Sequence, residues 1–178
     1  MCVLLKKIKV RDKSKINPFL EEEKKNDEKI RKASFCDFPL GEAHFVHRSS
    51  DNRTAVVGVL VQMVSKDNQA FKPIVDTLPY VLYKDKSRRL RSSLNLNQLL
   101  PESPESYYVY TGSLTTPMCA EDVAWFVLQS QQTIGQNQLD SFLKVYSVEK
   151  ADRSSDCLLA PNNRPLQNQN GRVIHASP

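Results

Sequence analysis

No apolar run in the sequence approaches the roughly 18–20 residues that a membrane-crossing helix needs. The N-terminal Met1-Cys2-Val3-Leu4-Leu5 gives way at once to Lys6-Lys7, too short an apolar stretch for the core of a signal peptide. The expectation is a soluble, unprocessed chain with no membrane span. The four cysteines, Cys2, Cys36, Cys119 and Cys157, lack C-x-x-C or any zinc-knuckle spacing, and four in 178 residues make no disulfide scaffold. No internal repeat is present, which excludes a solenoid or propeller. Charge of one sign is also scarce once it is located. The formal net charge is +5, but residues 1–32 hold 11 Lys/Arg against 6 Asp/Glu, so the remainder is balanced. A neutral body argues against nucleic acid as a partner, because a nucleic-acid-binding domain carries a basic face.

What is present is close to average globular composition, 40% hydrophobic and 25% charged, enough for one domain with a real core. Two regions differ in texture. Residues 1–38 form a charged leader. Its stretch from 11 to 32 is dominated by Lys, Glu, Asp and Asn, with Ile16, Phe19, Leu20 and Ile30 as a thin apolar stripe, and is expected to be disordered or partly helical. Residues 39–178 form the body. Ala43 to Val46, Ala55 to Val64, Tyr107 to Tyr110 and Val123 to Leu128 are short apolar or β-branched runs bounded by turn residues. The first two are separated by Ser49-Ser50-Asp51-Asn52, the pattern of two strands joined by a loop. Leu139, Phe142, Leu143 and Tyr146 fall at i, i+3, i+4, i+7 and predict one helix. A short strand is expected within Arg172 to Ala176. The fold class is therefore mostly β (α+β), with few helices, and no exposed aromatic or charged patch stands out in the body.

The candidate chemistry begins with the three histidines, His44, His47 and His175. Glu42 and His44 are two apart, so on a strand they project from one face, where a carboxylate can orient an imidazole. His44 and His47 are three apart and face opposite sides of a strand, so they cannot share a metal there. A lone strand histidine is more often a satisfied core or surface residue than a ligand. The second candidate is Tyr110-Thr111-Gly112-Ser113-Leu114-Thr115-Thr116-Pro117, where two threonine hydroxyls sit on a loop stiffened by Pro117. By itself this is also a plain turn between strands.

Taken together, the motifs resemble the α-carbonic anhydrases. Tyr110 to Pro117, with Cys119 and Glu121-Asp122-Val123-Ala124-Trp125 after it, is similar to that family's Y-x-G-S-L-T-T-P-x-C segment and E-x-V-x-W strand. Glu42-Ala43-His44-Phe45-Val46-His47 resembles its E-x-H-x-V-H strand, and Ala55-Val56-Val57-Gly58-Val59 the strand that follows. Asn162-Asn163-Arg164-Pro165-Leu166-Gln167 and Asn170-Gly171-Arg172 resemble its C-terminal stretch. The resemblance covers about residues 39–178. It implies a large, mostly antiparallel sheet with peripheral helices, and reversible hydration of CO2 to bicarbonate by a hydroxide on a zinc ion held by three histidines. His44 would be one of those ligands and Glu42 the carboxylate behind it. Thr115 would orient the hydroxide, and Thr115 and Thr116 would border the substrate. Val46, Val56, Leu114 and Trp125 would form the apolar wall, while His47, Tyr110 and Arg164 would be structural. Cys119 stands where extracellular members place half of a disulfide, and with the sequon at Asn52 it hints at a secreted parent. Cys36 or Cys157 is a possible partner for it.

The sequence departs from this pattern at its start. There is no H-x-H to supply the other two zinc ligands, and residues 1–38 resemble no part of the family. The glutamate that accepts the threonine's proton and the proton-shuttle histidine are missing with them. Zinc occupancy is doubtful on these grounds, since a zinc site needs three or four donors. Missing central strands would also leave apolar sheet edges unpaired. Three readings follow: a truncated form of an active enzyme that is itself inactive; a metal-free carbonic-anhydrase-related binding protein; or a competent chain recruiting Cys2, Cys36, an acidic leader residue or a second chain for the missing ligands. The sequence leaves oligomeric state and compartment open.

Overall fold

The computed structural model of the chain describes residues 4–10, 41–152 and 157–177. Its centre is a hairpin. Strand β2 (Gly41–Arg48) runs into β3 (Thr54–Val64) through a turn in which Asn52 takes a left-handed φ of 70°. Ser49 Oγ accepts from Arg53 N at 3.0 Å, closing the turn with a side chain that a strand interior would not need. The pairing is antiparallel and unbroken from Gly41 opposite Val61 to Arg48 opposite Thr54.

Long β3 then serves two partners on its other edge. Thr54–Gly58 pairs in parallel with β5 (Val123–Leu128), and Val61–Val64 pairs in parallel with β6 (Gln132–Gly135). Strand β4 (Tyr107–Gly112) adds antiparallel to β5, and two-residue β7 (His175–Ala176) closes that side against β4. Among the described residues the sheet has seven strands and is largely antiparallel, as expected.

Leu4–Val10 departs from the leader expected over 1–38. It forms strand β1, antiparallel to β2, with Leu4 opposite Val46 and Val10 opposite Gly41 and an irregularity between Leu5 and Ile8. The reason is backbone chemistry: without it β2 would present a row of unpaired N–H and C=O groups. That edge of β2 is thus paired. Residues 11–38, with Cys36 and the leader's acidic run, lie outside the described residues, as does Cys2.

Period-2 alternation divides the sheet's side chains between two faces. On one face Ala43, Phe45, Val59, Val61, Leu128 and Ile134 meet Phe71, Leu99 and Leu139 in the main core. Phe71 and Leu99 come from single 3-10 turns, Gln69–Phe71 and Leu96–Leu99, while Ile74 and Val75 of helix α1 (Lys72–Val75) pack at the margin. Helix α2 (Gln136–Leu143) brings Leu139, Phe142 and Leu143. Tyr146, expected on the same helix, lies beyond its end. Its N–H donates to Leu82 O at 2.7 Å and its ring stacks on Tyr83 at 5.2 Å, contacts a continuing helix would forfeit.

A buried amide ties α2 to the sheet. Gln138 Oε1 accepts from Asn68 N (2.9 Å) and Gly135 N (3.1 Å), and its Nε2 donates to Asn68 O at 2.8 Å. Asn68 Nδ2 in turn donates to Thr133 O at 2.8 Å, and Asn68 Oδ1 accepts from Ala70 N at 2.9 Å. Three backbone groups therefore depend on one side chain. Gln138→Leu keeps the volume and strands those groups, and is expected to lower stability by about 2–3 kcal/mol. The check is a urea midpoint shifted down at unchanged slope.

Candidate functional site

The opposite face of the sheet carries the candidate residues. Register places Val46, Val56, Trp125 and Tyr110 in one row across four strands, and His44, Gly58, Val127 and Tyr108 in the next. Val56, Val123 and Trp125 form a second, smaller core there, with Val46, Tyr110, Leu114 and Val127 packed against it. The proposed apolar wall of Val46, Val56, Leu114 and Trp125 is thus brought together by the fold.

His44 is 5% exposed. Its Nε2 lies 3.3 Å from Glu42 Oε1, yet off the line a hydrogen bond needs, so this nitrogen is buried with no hydrogen-bond partner among the described residues. The ring meets Trp125 edge-on, with centroids 4.9 Å apart at 79°. Trp125 is itself fixed: its Nε1 donates to Ser113 O at 3.1 Å, and it stacks on Tyr110 at 6.3 Å with the planes 6° apart. An imidazole wedged between an indole and a carboxylate has its orientation set on two sides.

Two glycines make the room. A Cβ on Gly58 would stand 2.5 Å from Glu42 Oε1, and one on Gly112 would stand 3.0 Å from Tyr110 Cε2 and 3.1 Å from Trp125 Cδ1. Glycine inside a strand is itself a sign of close approach, so both were legible in principle. Burial, and then the charge of Glu42, push the Tyr110 hydroxyl up to about 12 from its ordinary 10.0, so the phenol stays neutral.

The loop after β4 holds Thr115 and Thr116, both half-buried. Leu114 N donates to Ala120 O and Cys119 N to Thr116 O, each at 2.8 Å, and Met118 and Cys119 take left-handed φ values of 74° and 41°. The threonine hydroxyls hydrogen-bond to no described residue. Arg164 reaches in from the C-terminal stretch to donate to Ser113 Oγ, while Arg172 donates to Thr111 O and Asn168 O. A cleft of about 480 Å³ opens beside them, lined by Gly112, Ser113, Asp122, Arg164 and Arg172 among others. His47 faces away from His44, opposite Ala55, as its odd offset requires. Cys119 and Cys157 form no disulfide with each other.

The zinc that the resemblance implies can be tested against these residues. Among the described residues no three His, Cys, Asp or Glu side chains converge on one point. His47 lies across the sheet, and His175 is exposed on β7 opposite Val109. His44 supplies one donor, which does not fit a tetrahedral ion.

A model of the eukaryotic-type carbonic anhydrase family matches residues 40–178. The chain is 32% identical to the carbonic anhydrase-related protein of Homo sapiens, over 81% of this chain and 54% of that protein. It is 35% identical to the carbonic anhydrase of Neisseria gonorrhoeae, over 77% and 47%. Among solved structures it resembles the α-carbonic anhydrase of Thermovibrio ammonificans, determined with the inhibitor sulfanilamide, at a TM-score of 0.62 and 31% identity, over 76% of this chain and 53% of that one. The chain spans about half the length of the curated relatives it matches.

Two outcomes follow from the geometry. Gly58→Ala drives the Glu42 carboxylate off His44, so the imidazole nitrogen resonances of His44 should move while the Trp125 indole signal stays. The Tyr110 phenol, ionising later in the folded than in the unfolded chain, contributes stability below pH 10 that is lost as pH rises toward 12. Wild type should therefore lose more stability between pH 9 and pH 11 than Tyr110→Phe, as read by urea unfolding.

Proposed function

Because the chain belongs to the eukaryotic-type carbonic anhydrase family, we propose that it is a carbonic-anhydrase-like chain that retains one half of a CO2/bicarbonate site and is catalytically silent on its own. The observation that carries this is the lone donor: His44, backed by Glu42 and walled by Trp125, with no second or third ligand beside it among the described residues. In the family, zinc supplies an ionised water at neutral pH, and that supply needs a site of three protein ligands. One imidazole holds the metal too weakly to keep it at cellular concentrations.

What this chain's own residues do is position. Glu42 stands 3.3 Å from Nε2 of His44 and borders that side of the ring, while Trp125 borders the ring edge-on. Val46, Val56 and Leu114 exclude water from the space beside it, the environment an uncharged gas prefers. Thr115 and Thr116 present hydroxyls on a braced loop, without the carboxylate that would take up the Thr115 proton. A ready half-site of this kind is of use in a longer chain that restores the ligands, consistent with the chain spanning about half of its relatives.

A second reading, a metal-free binding protein, is favoured by one finding: the relatives include a carbonic anhydrase-related protein at 32% identity. Retention of Glu42, His44 and Thr115 together speaks for the first reading.

The deciding measurement is zinc per chain in untagged protein dialysed against a weak chelator, beside His44→Ala, with CO2 hydration followed in the same samples. Zinc far below one per chain in both, and hydration at the buffer rate, are expected. One zinc per chain that disappears in His44→Ala, with hydration blocked by a sulfonamide, would overturn the proposal.

A further inference from the structure

The body's balanced charge hides a strong local imbalance. Residues 84–91 hold Lys84, Lys86, Arg88, Arg89 and Arg91 against Asp85 alone, a local charge of +4. The rest of residues 33–178 then carries nine basic and thirteen acidic residues, a charge of −4. All eight residues of the segment are exposed, and none of the five cations is in an ion pair with a described residue.

The arginines are also arranged. Tyr80, 45% exposed at the end of the 3-10 turn Leu78–Tyr80, has Arg88 Cζ 4.4 Å and Arg91 Cζ 4.8 Å from its ring centroid. Arg91 Nη2 donates to the Tyr80 hydroxyl at 2.8 Å. One aromatic ring thus holds two guanidiniums that would otherwise repel and spread. Like charges held together without counter-charge are costly unless something anionic meets them. Guanidinium forks pair with carboxylates in bidentate fashion, and an arginine already held in place loses less entropy on doing so. The aromatic and charged patch that the sequence alone did not reveal is here, made by residues up to eleven apart that only the fold stacks.

We infer that the Tyr80–Arg88–Arg91 cluster is a docking surface for a short acidic segment of another protein. The charge distribution selects this class. A DNA duplex carries a charge about every 1.7 Å, and an anionic bilayer is a plane, so each presents far more charge than an eight-residue patch of +4 can meet, while the rest of residues 33–178 sums to −4. A segment with a few carboxylates ends where the patch ends. The surface is separate from His44 and does not depend on the metal question.

The test is fluorescence anisotropy of a labelled six-residue peptide of alternating Asp and Glu, titrated with the full chain. A 20-base-pair DNA duplex and phosphatidylserine vesicles are run in parallel. Arg88→Gln/Arg91→Gln should weaken peptide binding at least tenfold. Tyr80→Leu, which removes no charge, should weaken it severalfold. Arg48→Gln/Arg53→Gln, the same charge change elsewhere, should leave it within twofold. Equal loss in both double variants, no loss with Tyr80→Leu, or no peptide binding at all would overturn the proposal. So would tighter, Arg88- and Arg91-dependent binding of the duplex or the vesicles.

Discussion

The register between β2 and β3 governs this molecule, because a single pairing, His44 opposite Gly58, sets both faces of the sheet at once. A slip of one residue would turn Phe45 and Ala43 out of the main core and turn His44 into it. The alternation of buried apolar residues on one face therefore locks the imidazole onto the other. That lock extends outward. Trp125 lies in the row next to His44 because β5 pairs in parallel with the first half of β3, and Tyr110 lies over Trp125 because β4 pairs with β5. Core packing of roughly 1.5–3 kcal/mol per large buried side chain thus fixes the register from one face, and the smaller core around Trp125 adds to it on the other.

The sequence disclosed much of this where the physics is local. β2, β3, β4 and β5 were visible as β-branched runs between turn residues, and parity alone separated His44 from His47. The helix was visible from its apolar spacing, but its end was not: Tyr146 fits the period and leaves it for a hydrogen bond to Leu82, a residue no local pattern can connect to it. β6 is four residues long and Gln-Thr-rich, so it is defined by its partner, not by its composition. β1 was masked by the lysines around Leu4, Leu5, Ile8 and Val10. Of the candidate site, the wall residues and the Glu42–His44 pair came from the family resemblance together with strand parity. The roles of Ser113 as the anchor for Trp125 and of Gln138 as a clasp needed coordinates, since both act through backbone groups far away in sequence.

Fold and chemistry separate cleanly in this chain. The sheet, the wall and the braced threonine loop are those of a carbonic-anhydrase-type domain, and each is maintained by contacts that do not involve a metal. The donor set is a different matter: among the described residues His44 stands without two further ligands beside it. A polypeptide can keep the scaffold of a catalytic site while lacking the atoms that perform the chemistry, and the two are lost or kept on separate terms.

Gly58 shows what that separation asks of the strand. As long as position 42 is glutamate, a side chain at position 58 collides with its carboxylate, so the two positions are not free to drift independently. Alanine or valine at 58 suits a strand better, but either would push the Glu42 carboxylate aside and take it from the His44 ring. The strand therefore carries a residue of low strand preference within its longest ladder, opposite His44, and the room it leaves is filled by a carboxylate from the neighbouring strand.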